Sequence, residues 1–281
     1  MNFSISFSHA LLLGVSLLLC NPSPAGEVNP SASAMRMGGT GSALGTMALL
    51  AEAFKKIHPQ SNIVVLPSLG SGGGITALQA GALDIALTSR PLKAGERSPN
   101  FVATEYARTP LVFATARHAN VAAITTPELV AIYAGERKTW PDGRLLRLVL
   151  RPDTESNTDT IKSISPEMKQ AVTAAQTRTG MIMARTDKDN ADSIENIPGA
   201  LGTTTLAEII SEKRGLQAMA LNGVTPGLST LADGKYPYYK SFFMLTTLQP
   251  TALTQQFLAF VNSAAGREIL HHNGHWLAPA K

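Results

Sequence analysis

The chain has 281 residues, 44% hydrophobic and 16% charged, with 23 Gly, 17 Pro, one Cys and a formal net charge of +4. That apolar fraction, with ordinary glycine and proline usage, excludes a disordered or collagen-like chain, and a single cysteine excludes a disulfide-stapled fold. The basic residues are scattered without a run of three and only 6% of residues are aromatic, so no nucleic-acid partner is expected.

Residues 1–25 carry no Lys, Arg, Asp or Glu, and Ala10–Cys20 is an unbroken run of small and apolar residues. Such a run rises only about 16 Å as a helix, short of the ~30 Å hydrocarbon core of a bilayer. It breaks at Pro22 and Pro24, and Ser23-Pro24-Ala25 places small residues where a signal peptidase reads. Residues 1–25 are therefore read as a secretory signal peptide without a basic n-region, with the mature chain exported to the periplasm. Lipid anchoring at Cys20 is the poorer alternative, because Leu19 sits where a small residue is expected. Cleavage after Ala25 removes the only cysteine.

Beyond a polar stretch from Gly26 to Ala34, short β-like runs alternate with helical ones. Met35–Met37 precede a Gly38-Gly39-Thr40-Gly41-Ser42 turn, and Leu44, Met47, Leu50 and Phe54 give Ala43–Ile57 a helical apolar face. Asn62–Leu66 reads as a strand, Gly70-Ser71-Gly72-Gly73-Gly74 as a second turn, Gly74–Ala80 as a short helix and Asp84–Leu87 as a strand. Leu111–Ala116 is a strand, and Thr126-Pro127-Glu128 opens a helix to Tyr133 with Thr126 as its cap. Leu145–Leu150 runs as a strand into Arg151; Glu167–Arg178 and Leu206–Arg214 are helical. Phe242–Thr246 is a strand and Thr251–Asn262 an amphipathic helix. This alternation predicts an α/β fold with largely parallel sheets.

The two glycine-rich turns carry the chemistry. Glycine lets backbone approach a ligand closely, first-turn amides are unpaired, and the helix dipole places partial positive charge there. With serine or threonine hydroxyls nearby, such turns suit an anion; the blander alternative is a tight, ordinarily capped strand–helix turn. Arg151, at a strand end before Ser156-Asn157-Thr158, offers a planar donor fork for an oxyanion. Arg90 after the Asp84–Leu87 strand is a further candidate, and either arginine alone could equally be a structural ion pair.

Enzyme signatures fail on inspection. The Gly39-x-Gly41-x-x-x-Gly45 pattern lacks the acidic residue expected about 20 positions on, no Walker lysine follows either turn, and no Gly-x-Ser-x-Gly elbow exists. His271, His272 and His275 cluster near the C-terminus without a His-Glu-x-x-His pattern and are read as surface polar residues rather than a metal site. No catalytic residue, metal or cofactor is expected, and an exported phosphate-ester enzyme is the less favoured, different-class alternative.

Several segments together carry a family resemblance. Gly39-Thr40-Gly41-Ser42, the Ala51-Glu52-Ala53-Phe54-Lys55-Lys56 helix, Gly70-Ser71-Gly72-Gly73-Gly74-Ile75, and Ala80 through Asp84-Ile85-Ala86-Leu87-Thr88-Ser89-Arg90-Pro91-Leu92 resemble the PstS-like phosphate-binding proteins of ABC transporters. Further matches are Ile132-Tyr133-Ala134-Gly135, Leu148–Arg151, Leu221–Pro226 and Phe260–Arg267. The resemblance implies a two-lobed, type II-like periplasmic-binding-protein fold, with mixed sheets flanked by helices and an interlobe cleft. Lobe 1 would comprise 34–115 and 241–281, and lobe 2 116–240. It implies a monomer that captures a small oxyanion, phosphate first, for an inner-membrane ABC permease; a sensor, or a binder of molybdate, sulfate or a carboxylate, is the alternative within the fold. Carried over residue by residue, the ligand would meet Ser42 and the Ala43 amide, Ser71 and the Gly72 amide, Ser89, and Arg151 with Ser156 and Thr158. Two departures stand out: the family's Ser-Gly-Thr is Ser156-Asn157-Thr158, and the acidic acceptor some members use is Ser89.

Overall fold

Short runs of β-branched and apolar residues, several of them followed closely by glycine or proline, give the chain many brief strands. The computed structural model describes Met1 and residues 34–277; the signal-peptide and Cys20 readings fall outside these residues. In chain order the elements are β1 (Met35–Gly39), α1 (Gly41–Ile57), β2 (Ile63–Val65), α2 (Gly70–Gln79), β3 (Ile85–Thr88), β4 (Phe101–Ala116) and β5 (Ala123–Ile124). Then come α3 (Thr126–Ala134), β6 (Arg147–Leu150), α4 (Ser156–Lys162), α5 (Pro166–Thr177), β7 (Ile182–Met183), α6 (Asp187–Asn196), β8 (Ala200–Thr205) and α7 (Leu206–Ser211). The chain closes with β9 (Leu216–Ala218), β10 (Ala220–Leu221), α8 (Leu228–Ala232), β11 (Tyr239–Thr247), α9 (Ala252–Asn262) and α10 (Ala264–His272).

The α/β class and mixed sheet expected from sequence are observed, while the largely parallel arrangement is not. The main sheet runs β2-β1-β3-β11-β4-β8-β6-β7, with β9 also on β4. Its two ends are parallel (β1 with β2 and β3, β6 with β7 and β8), but β11 and β4 insert an antiparallel centre. The reason is β4: its first half, Phe101–Tyr106, is largely exposed and lacks the continuous apolar run that marks a buried strand, so only Leu111–Ala116 is legible as strand. Residues 101–110 of β4 pair with β11, and 111–116 pair with β8 and β9.

The core divides along this line. Met35, Met37, Met47, Leu50 and Phe54 pack with Phe242, Phe257 and Phe260 around the first strands. Leu111, Phe113, Leu129, Ile132, Tyr133, Trp140 and Leu148 pack with Met168 and Val172 beyond β4. From Ala34 onward the described chain is nonetheless one compact unit.

Local chemistry sets the element ends. α3 opens on a capping box one residue earlier than expected: Thr125, not Thr126, accepts from the Glu128 amide, and the Glu128 carboxylate accepts from the Thr125 amide. The second glycine cluster is not a loop, since Gly70–Gly74 form the opening turns of α2. Gly39 stands at φ +140, where an added Cβ would lie 2.1 Å from the Leu87 carbonyl oxygen. Only glycine lets β1 end pressed against β3 and deliver Thr40 beside Ser89. His275 is a correction: it is fully buried, its Nε2 2.9 Å from the Thr46 hydroxyl, with Phe242 and Tyr106 beside it. A non-histidine interval, Asn273-Gly274, turns it into the core while His271 and His272 stay exposed.

Candidate functional site

The ends of β1, β3 and β6 and the openings of α1, α2 and α6 converge on one hydrogen-bonded network. Thr40, the residue before α1, does not cap its own helix. Its hydroxyl instead lies 3.1 Å from Ser42 Oγ, 3.2 Å from Ser89 Oγ and 3.3 Å from Asp187 Oδ2. Ser71, in the first turn of α2, accepts from the Ser89 amide at 3.1 Å, and the two serine hydroxyls stand 3.4 Å apart. Thr40, Ser42 and Ser89 are buried.

Arg151 enters from the end of β6 and is itself buried. Its Nη1 donates to the Ala184 carbonyl at 3.0 Å and its Nη2 to Asp187 Oδ1 at 3.1 Å, while Glu155 Oε2 stands 3.5 Å from Nη2. Its Nε is buried with no partner among the described residues. Asp187, the first residue of α6, spans the network: Oδ1 faces Arg151 and Oδ2 accepts from the Ser42 amide at 2.9 Å. The opening of α1 is thus satisfied by a carboxylate from a distant helix, where the dipole favours a negative charge.

A second buried cation adjoins. Lys240, on β11, donates to Asn157 Oδ1 at 2.5 Å, and burial pushes its ammonium down to about 8 against the upward pull of Asp187 and Glu155. Glu208, buried behind the network, accepts from the Thr204 hydroxyl at 2.5 Å; desolvation raises its pKa and the Asp187 charge adds to the rise.

Of the sequence-derived residues, Ser42, Ser71, Ser89 and Arg151 belong to this network. The Ala43 amide is directed at the Thr40 carbonyl at 3.3 Å. The Thr158 hydroxyl reaches the Arg151 and Pro152 carbonyls at 3.2 and 3.0 Å, so it holds the turn that carries Arg151. Gly72 and Ser156 line a cavity of about 300 Å³ that shares Ser71 with the network and has Lys93 and Glu155 on its wall. Arg90 is not a free fork: both terminal nitrogens reach Glu96, at 2.6 and 2.7 Å, which is the structural ion-pair alternative. A larger cavity of about 420 Å³ is lined by Arg137, Arg147 and Arg178, but each is partnered, by Glu128, the Pro198 carbonyl and the Tyr133 carbonyl.

Sequence reasoning gives no indication of Asp187 or Lys240, and it places Thr40 and Asn157 in the right segments without assigning either to the ligand. Asp187 lies in the polar run Asp187-Lys188-Asp189-Asn190-Ala191-Asp192, which shows no apolar stripe. Its available signal is local: Thr186 followed by Asp187 and Asp189 is a helix-start pattern, and Thr186 indeed accepts from the Asp189 amide.

The sequence profile of the PBP superfamily domain matches residues 25–265, most of the chain. The chain belongs to the PBP superfamily. Among curated proteins it is similar to the phosphate-binding protein PstS of Bacillus subtilis (strain 168), at 26% identity over 223 residues, 76% of this chain and 70% of that one. Among solved structures, a Clostridium perfringens protein assigned as a phosphate ABC transporter substrate-binding protein, with bound phosphate, superposes with a TM-score of 0.72 at 20% identity. That match covers 88% of this chain and all of the other. An ABC-type phosphate transport receptor from Vibrio cholerae gives a TM-score of 0.61 at 20% identity, covering 86% and 99%. At these identities the structures speak for a shared fold. The site residues of this PBP-superfamily member therefore rest on its own geometry. Among the described residues no cluster of acidic, histidine or cysteine side chains is placed to hold a metal.

Proposed function

We propose that this chain is an exported solute-binding protein that captures a small oxyanion, phosphate before others, in a cleft between two lobes and delivers it to a membrane permease. The observation that carries the reading is the network itself. The hydroxyls of Thr40, Ser42, Ser71 and Ser89 form a chain of contacts of 3.1–3.4 Å, and the Thr40 hydroxyl, the Ser42 amide and the buried guanidinium of Arg151 meet on one carboxylate, that of Asp187. Neutral donors plus one planar cation satisfy an oxyanion without a full counter-charge. The kinship with a curated phosphate-binding protein supports phosphate as the first ligand.

The two lobes would be 34–115 with 241–281, and 116–240. The exchange of β4 partners between residues 110 and 111 supports a division near there. At that point the two crossing segments lie side by side: the Leu111 amide donates to the Tyr238 carbonyl at 3.0 Å, and the Tyr236 hydroxyl donates to the Leu111 carbonyl at 2.9 Å. Bending there would move Arg151 relative to Ser42, Ser71 and Ser89. A second reading, the same fold holding sulfate or molybdate, is favoured by Ser89, since a hydroxyl can donate where a carboxylate would reject a fully ionised anion.

A thermal-shift panel of phosphate, sulfate, molybdate and small carboxylates on unfolded-and-refolded protein tests this. A ligand at a hundred times its Kd stabilises by roughly 2.7 kcal/mol, which is roughly 5–11 °C for a domain of this size. The largest shift with phosphate is expected; no shift with any tetrahedral oxyanion overturns the reading.

A further inference from the structure

The carboxylate of Asp187 engages donors that the anion-binding reading assigns to an oxyanion. Its Oδ2 accepts from the Ser42 amide at 2.9 Å and lies 3.3 Å from the Thr40 hydroxyl, and its Oδ1 accepts from Arg151 Nη2 at 3.1 Å. It is buried, at 7% exposure. The fit is specific: a Cβ on Gly41 would lie 2.8 Å from Asp187 Cβ and 2.9 Å from its Oδ2, so α1 opens on glycine at the one place where this side chain presses in. Three donors that could serve a bound anion are thus engaged by the chain's own carboxylate. The Ser89 hydroxyl lies 3.2 Å from that of Thr40, with the Ser71 hydroxyl 3.4 Å beyond it, and Arg151 Nε is buried and unpartnered among the described residues.

We propose that Asp187 is a tethered competitor that sets which anions the site accepts. The proposal rests on the anion-binding reading of the site and deepens it. A free monocarboxylate offers the Ser42 amide and Arg151 nothing that Asp187 does not already supply, and Asp187 supplies it intramolecularly, at high effective concentration. A tetrahedral oxyanion brings further oxygens, which can reach the Ser71 and Ser89 hydroxyls and so outweigh the tethered group. Asp187 thereby excludes small carboxylates and lowers the affinity for every ligand that must displace it, because a ligand's apparent affinity falls with the fraction of protein competent to bind it. That factor is common to all such ligands, so Asp187 sets a threshold, and the contacts a tetrahedral anion adds at Ser71 and Ser89 decide which ligands clear it.

The test compares wild type and Asp187→Ala, refolded free of anions, by thermal shift with acetate and by calorimetry with phosphate. Acetate is expected to stabilise Asp187→Ala and leave the wild type unmoved, and phosphate to bind Asp187→Ala at least tenfold more tightly than it binds the wild type. Acetate moving neither protein, or both equally, overturns the proposal. So does phosphate that binds Asp187→Ala no better than, or more weakly than, the wild type, as a carboxylate that accepts a proton from the ligand would require. If acetate stabilises only Asp187→Ala while phosphate binds neither protein, the competitor stands and the phosphate-binding reading falls. If Asp187→Ala does not fold, Asp187→Asn, which keeps the side chain's shape without its charge, carries the phosphate comparison with the same expected sign.

Discussion

Replacing Arg151 with methionine is the perturbation whose consequences the structure specifies most fully. Methionine keeps much of the volume of a side chain that is 4% exposed, but it removes the donors to the Ala184 carbonyl and Asp187 and the cation beside Glu155. Asp187 would stay buried with the Ser42 amide and the Thr40 hydroxyl but without its guanidinium. Breaking a buried pair by removing one partner costs roughly 3–5 kcal/mol, and the lower end applies because two hydrogen-bond donors to Asp187 survive. About 3 kcal/mol corresponds to a fall in Tm of roughly 6–12 °C for a domain of this size. The assay is thermal unfolding by circular dichroism of Arg151→Met, Asp187→Asn and the double variant. The double variant is expected to lose less than the sum of the singles, by roughly 0.5–3 kcal/mol, since neutralising Asp187 relieves its unpaired charge. Strict additivity, or an unchanged Tm in Arg151→Met, would refute the pairing that places Arg151 in the site.

Gly41→Ala is expected to destabilise by about 1–3 kcal/mol, because the new methyl would meet Asp187 at 2.8 Å; a Tm equal to the parent's would show that α6 does not press on the opening of α1. His275 has its pKa pushed down to about 3 by burial, from an ordinary 6.5. The unfolded chain then binds the extra proton between those values, so stability is lost as pH falls from about 6.5 towards 3. Comparing the pH dependence of Tm in wild type and His275→Gln checks this: the variant is expected to show the shallower acid slope, and identical slopes would sink the assignment of His275 as a buried neutral group.

How much was legible in the sequence depends on whether the signal was local. Gly39, Ser42, Ser71, Ser89 and Arg151 lie at strand–helix junctions, where a glycine, a hydroxyl or an arginine after an apolar run already has a chemical meaning, and the structure joins the four side chains in one network. The length of β4 was not legible, because Phe101–Tyr106 is largely exposed and gains its strand character from β11, far along the chain. Asp187 and Lys240 were invisible for a related reason. Asp187 sits 145 residues from Ser42, and Lys240 sits 83 from Asn157, so only the folded chain shows what each one touches. The burial of His275 is not legible either, because polarity is a poor guide when a single hydroxyl, that of Thr46, can satisfy a ring nitrogen inside the core.

The central claim, that this network binds a free oxyanion, is tested most directly by equilibrium dialysis of labelled phosphate against refolded protein and its Arg151→Met variant, with folding of the variant checked by circular dichroism. Saturable binding of one phosphate per chain is expected for the wild type. Each lost charged hydrogen bond is worth about 1.5–3 kcal/mol, so Arg151→Met should bind at least tenfold more weakly. No saturable binding by the wild type, or equal binding by the folded variant, would contradict the account.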